Sequence, residues 1–237
     1  SGVSPLNRFN PLRVLLLLLV VLPNPLAGQD HSSGEKSYPG PVSLSGLFYL
    51  TYEAGEEGGK DLNRFFINRA YLTARVNILP RLSARFTLDP SQDLDGDGRG
   101  DMEVRVKYAY AKYDFGNMGN LTHVGLEGGI VHMVWLDFEE HINLYRMRGP
   151  MFMERSGMFN SADFGVTLTA GLGEDLPEGY RRNVSSAYGQ RYGSMALGIY
   201  NGGGYHGDEQ NNNKVIQSRL TLRPLPDVLP GFQVSGL

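Results

Sequence analysis

Residues 68–90 read NRAYLTARVNILPRLSARFTLDP, two alternating runs that meet at Pro80. One face carries Ala70, Leu72, Ala74, Val76 and Ile78, then Leu82, Ala84, Phe86 and Leu88. The other carries Arg69, Tyr71, Thr73, Arg75 and Asn77, then Arg81, Ser83, Arg85, Thr87 and Asp89. A period of two over this length predicts strands, and the tight Leu79-Pro80-Arg81 link joins them as a hairpin with one apolar and one cationic face.

The same alternation recurs at 43–53, 102–115, 123–132, 163–172, 192–200 and 214–223, and 232–237 starts another strand, about nine segments in all. In 102–115 it predicts Met102, Val104, Val106, Tyr108 and Tyr110 on one face, against Glu103, Arg105, Lys107, Ala109 and Ala111. Soluble strands average ~5–6 residues, whereas strands that cross an outer membrane need ~9–11. Several of these segments reach the longer value. Loops are expected at 54–63, 90–101, 133–160 and 201–213 on one side, with short links at 79–81, 116–121 and 224–231 on the other. Long loops on one side and short turns on the other are the pattern of a bacterial outer-membrane barrel; the link 173–191 departs from it. The fold class is therefore all-β, an antiparallel transmembrane β-barrel.

In such a barrel an Arg or Lys facing lipid at the midplane costs ~2–4 kcal/mol, so the arginine face turns to the lumen. Arg69, Arg75, Arg85, Arg105, Lys107, Arg219 and Arg223 share that inward phase, with fewer acids: Asp89, Glu103, Glu127 and Asp163. A positively lined aqueous tube attracts anions. The alternative is a solvated sheet surface held by cross-strand charge pairs.

Arg8 and Arg13 precede VLLLLLVVL and PNPLAG, which predicts a signal peptide over 1–28 cleaved near Ala27 or Gly28. That apolar run is too short for a spanning helix, which needs ~20 residues. A polar leader is expected over 29–42 and the barrel domain over 43–237. There is no cysteine, so stability does not depend on disulfides, and a net charge of -3 is too mild to imply a nucleic-acid partner.

Two loops stand out. VWLDFEEHINLYRMRGPMFMERSG (134–157) is aromatic and dense in both charge signs, with Leu136, Glu140 and Leu144 on one helical face. It is expected to fold into the lumen as a constriction carrying Glu139, Glu140, Arg146, Arg148 and Arg155, packed through Trp135, Phe138 and Tyr145; an external cap is the alternative. In SQDLDGDGRGD (91–101), Asp93, Asp95, Asp97 and Asp101 alternate with other residues and are candidates for calcium, although an EF-hand loop would place its acid at 104, where Val104 stands. The competing reading is a polar hairpin loop. His123, His132, His141 and His206 lack metal-ligand spacing, and there is no GxSxG elbow or phosphate loop, so no enzyme is expected.

The stretches FFINRAYLTARVNILPRLSARFTLD, VKYAYAKYDF, FMERSGMFNSADFGV, YGSMALGIYNGGGYH and RLTLRPLPDVLPGFQVSG make the chain resemble the phosphate-selective porins O and P over 43–237. The resemblance implies a sixteen-stranded outer-membrane barrel, usually a homotrimer, that lets small anions, phosphate among them, diffuse passively, without a cofactor. The chain is then expected to be the N-terminal part of such a barrel. A secreted soluble β protein that binds calcium or a glycan is the alternative from another class.

Overall fold

The computed structural model describes residues 18–19, 38–93, 100–143, 145–185, 187–205, 207, 209 and 211–237. These form one ten-stranded antiparallel sheet in which every strand pairs with its neighbour in sequence. A two-residue strand, β1 (Leu18–Leu19), lies against β2 (Ser43–Glu57). β2 pairs with β3 (Lys60–Leu79), and β4 (Leu82–Gln92) follows across the Pro80-Arg81 turn. Next come β5 (Met102–Met118), β6 (Leu121–His132), β7 (Ala162–Leu172) and β8 (Gly193–Tyr200). β9 (Val215–Leu222) and β10 (Val234–Gly236) complete the sheet.

The loop expected at 54–63 is instead paired strand, because Glu57 stands opposite Lys60 and only Gly58 and Gly59 turn the chain. Their φ values of 59° and 78° suit the two-residue turn that continues strand twist, and residues with a Cβ are strained there. At 20, 17 and 15 residues, β3, β5 and β2 are far longer than ordinary soluble strands. The remaining links split as expected. The links after β4, β6 and β8 leave one end of the strands, and those after β3, β5, β7 and β9 leave the other.

The two faces differ. Leu44, Phe48, Leu72, Phe86, Val104, Leu126, Val166, Leu197, Ile199, Ile216 and Leu220 are exposed on one face. Thr73, Thr87, Glu127, Thr167, Ser194, Gln217, Arg219 and Thr221 are buried on the other. An inside-out sheet of this kind leaves a large apolar surface uncovered and buries the polar one. Of the run expected to face outward, Leu72 and Ile78 are exposed, Ala74 and Val76 half-buried and Ala70 buried.

The alternation predicted for 102–115 fails midway. Thr87 pairs with Tyr108 but Leu88 with Val106, so Lys107 is an unpaired bulge residue. A bulge resets the side-chain phase. Lys107 and Tyr108 both point to the covered face, Tyr110 joins them opposite Gly129, and Ala109 pairs with outward Phe86. A second bulge leaves Asn68 unpaired, which turns Phe65 and Ile67 outward.

Tyr110 can pack there because Gly129 adopts a φ of 131° and sits so close to β5 that a Cβ would meet Ala109 O at 2.3 Å. Gly129→Ala should therefore lower stability by roughly 1–3 kcal/mol, read as a shift in urea midpoint at constant slope.

Candidate functional site

The loop between β6 and β7 lies on the covered face. It begins with α1 (Val134–Ile142), whose Val134, Leu136 and Phe138 are buried. Met133 and Val134 pack with Val131, Ala196 and Tyr200, and Tyr110, Phe159 and Val215 close the cluster. The small Ala196 makes room for the helix beside the large Tyr200. The Tyr200 hydroxyl hydrogen-bonds Thr167 Oγ1 at 2.9 Å and donates to His132 O at 3.1 Å. Apolar contact thus draws the loop onto a polar sheet, and hydroxyls satisfy its backbone there.

Beyond α1, a 3-10 turn (Arg146–Arg148) leads to α2 (Phe152–Arg155). Arg146 is buried, 3.3 Å from Glu140 Oε1 and 3.5 Å from Glu154 Oε2, and donates to Gly149 O at 3.0 Å. Glu139 accepts from Phe152 N at 3.3 Å and holds the start of α2. Asn68 Nδ2 donates to Met147 O at 3.0 Å and ties the loop to β3. The tyrosine expected to pack here, Tyr145, is 72% exposed instead. Arg148 and Arg155 are exposed, and Leu144 lies outside the described residues.

Glu140 is pushed up by burial, but Lys107 and Arg146 outweigh this and hold its carboxyl below the ordinary 4.5. A depressed carboxyl stabilises the fold above its unfolded pKa, and that stabilisation fades as pH falls through the folded value. Proteolysis within 143–157 should therefore accelerate as pH drops below about 4.5. Removing Arg146 leaves Glu140 and Glu154 facing each other while partly buried. Arg146→Ala should cost about 3–5 kcal/mol in that loop and make it cleavable even at neutral pH.

A cavity of about 330 Å³ remains between α1 and the wall made by β2 to β5. Arg75 and Arg85 are cross-strand partners on its wall, beside Ser45 and Thr73, and Asp137, Glu140 and His141 of α1 face it. Arg75 Nη1 reaches Ser45 Oγ at 3.4 Å. Arg85 donates to Thr87 Oγ1 at 3.0 Å and to His132 Nε2 at 2.9 Å, and its guanidinium lies 4.4 Å from the Tyr108 ring centre. Since Arg85 can only donate, His132 Nε2 accepts and its proton sits on Nδ1, 3.6 Å from Glu127 Oε2. Directly opposed like charges repel, so this pair favours an anion between them.

The other inward cations are placed differently. Lys107 is buried and donates to Tyr71 Oη at 2.7 Å. Arg219 is buried under α1, 4.7 Å from Phe138 and 4.8 Å from Tyr188, and donates to Ser194 and Thr221. Arg223 is buried too and gives its hydrogens to Pro230 O, Gln190 O, Tyr188 O and Tyr180 Oη. These three face inward yet fasten the wall and its links, and do not meet a solute. Arg69 is half-buried beside Tyr71. Arg105 stays partly exposed, 3.8 Å from Glu103.

Asp93 N donates to Asp101 O and Gly100 N to Asp93 O, which closes the 93–101 loop as a hairpin. Asp95 and Asp97 lie outside the described residues, as does His206. Among the described residues no group of acids and histidines is placed to hold a metal. None of their helices is long and apolar enough to cross a membrane, which says nothing about strands.

The link 173–192 folds inward as well. It contains α3 (Glu178–Asn183) and brings Tyr180 onto Arg223 and Tyr188 onto Arg219. His132 and His141 lack metal-ligand spacing and so carry no signal in the sequence for this site, and nothing in the alternation points to Tyr188. No protein-family model matches the chain, and no curated protein or solved structure does either.

Proposed function

We propose that this chain forms the wall of an outer-membrane channel through which small anions, phosphate among them, diffuse passively. The observation that carries the reading is the inverted sheet. Its polar face is covered by its own loops, while an apolar face spanning β2 to β9 is left for a non-aqueous environment. Exposed apolar surface on this scale marks a membrane or protein interaction site. Closed antiparallel barrels of long strands are the β-structures that lipid tolerates. The resemblance to phosphate-selective porins supports the same reading and adds a trimeric assembly.

In this account α1 narrows the path and Arg75 with Arg85 raise the local anion concentration. The field acts most strongly in the narrow part, where low-dielectric walls focus it. Asp137 and Glu140 on the opposite side limit the preference, so the channel is anion-favouring rather than closed to cations.

The test is the protein in a planar bilayer under a KCl gradient. Discrete conductance steps with a reversal potential on the chloride side are expected. Preference should fade as salt rises, since the Debye length falls from ~10 Å at 0.1 M to ~3 Å at 1 M. A membrane-inserted protein that passes no current would sink the proposal.

A further inference from the structure

We propose that Tyr188 is a positioning residue that latches the α1 helix from the opposite mouth of the sheet, so that the 173–192 link sets the width of the opening. This rests on reading the α1 loop as the constriction. The observations come from two elements that enter from opposite ends of the strands.

The Tyr188 hydroxyl donates to Asp137 Oδ2 on α1. Its ring packs 5.3 Å from Phe138 and 5.4 Å from His141, both also on α1, and 4.8 Å from the Arg219 guanidinium on β9. One side chain thus touches three residues of the helix, and the wall behind it. Asp137 also faces His132, 3.8 Å away, and so joins the latch to the Arg85 side of the cavity.

The backbone beneath the ring is specialised. Tyr188 has a φ of 53°, which few non-glycine residues adopt. Such a conformation persists where the surroundings over-determine it. Here Arg223 does so, by donating to the carbonyls of Tyr188 and Gln190 on either side of Gly189. Arg223 also donates to Pro230 O in the next link at 2.6 Å and to Tyr180 Oη at 2.9 Å. Four acceptors on Arg223 thus fix the turn that presents the ring to α1.

The proton economy agrees. Burial pushes the Tyr188 hydroxyl far up, and Asp137 adds to this, so it stays a donor. Burial also raises Asp137, but the Tyr188 hydroxyl and the Arg219 guanidinium counter it, and the carboxyl stays below its ordinary value and charged. A charged acceptor makes the stronger kind of hydrogen bond.

The chain has a single tryptophan, Trp135, and it lies on α1 with its ring 6.0 Å from Phe138. Its fluorescence reports the helix without added labels. Tyr188→Phe keeps the ring packing and removes only the hydroxyl; Asp137→Asn keeps the volume and removes the charge. Acrylamide quenching of Trp135 should rise about twofold in each variant. The double variant should be no worse than the larger single one, because both break one interaction. Heat-modifiable gel migration should stay as in the parent, which shows that the wall is intact.

Unchanged quenching in Tyr188→Phe, or effects that add in the double variant, would overturn the latch. If Tyr188→Phe does not fold, Asp137→Asn decides by the same readout. Open-channel current noise should increase in parallel. A parent that does not conduct removes the channel reading alone, since the quenching result still stands or falls by itself.

Discussion

In the proposed channel, replacing Arg75 and Arg85 together by Glu should turn anion preference into cation preference. The change removes the opposed guanidinium pair from the wall and leaves four carboxylates around one cavity, with Asp137 and Glu140. Fixed charge in a low-dielectric cleft changes local ion concentration by about tenfold or more. The anion-to-cation permeability ratio should fall by about that factor, and the reversal potential under a KCl gradient should change sign. The same replacement at Arg105, which already lies beside Glu103 and is partly exposed, should produce a much smaller shift. Arg146 is a poor choice for this experiment although its charge invites it. It is buried between Glu140 and Glu154, and a Glu there would dismantle the loop before it altered selectivity.

In the proposed barrel, Phe86→Arg should destabilise the protein in a bilayer by ~2–4 kcal/mol, the cost of a midplane cation on a lipid-facing strand. Phe86 is 45% exposed on the uncovered face and lies about halfway along the hairpin. In water the same change would be close to neutral, within about 0.5 kcal/mol, as surface changes usually are. Ser83→Arg, one phase over on the covered side, serves as the control and should be tolerated. The measurement is the urea midpoint of vesicle-reconstituted protein at constant slope.

The strands were largely legible because alternation is a local property. The two runs within 68–90 and the segments at 43–53, 123–132, 163–172 and 214–223 each lie on a strand whose bounds differ by a few residues. The main extensions are at the 58–59 turn, where paired strand replaces the expected loop, and at Met118. The phase error after Val106 has a definite cause. Period-two counting assumes that every residue has a partner, and Lys107 has none. Bulges depend on the register of the neighbouring strand, which a single run of sequence does not contain.

The candidate site was legible to a lesser degree. The arginine phase on β3 and β4 was readable, and so was an inward helix around Leu136. Which cations stay available was not. Arg219 and Arg223 have the same periodicity as Arg75, yet aromatic rings and carbonyls from the 173–192 link consume them. That link looked anomalous because it was too long for a plain turn. Its length is explained by its path: it leaves the rim, runs over the covered face and meets α1 there.

In the proposed channel, successive residues of one strand face lipid and water in turn. The chain has no cysteine, so single cysteines along 82–90 can be read without background. The membrane-reconstituted protein carries cysteine in turn at Ser83, Ala84, Arg85 and Phe86 and is treated with a water-soluble maleimide. Positions 83 and 85 should react and 84 and 86 should be protected; labelled in detergent before reconstitution, the adducts at 84 and 86 should be quenched by nitroxide on the lipid chains. Equal reaction at all four positions, with no quenching from the lipid, would contradict the account.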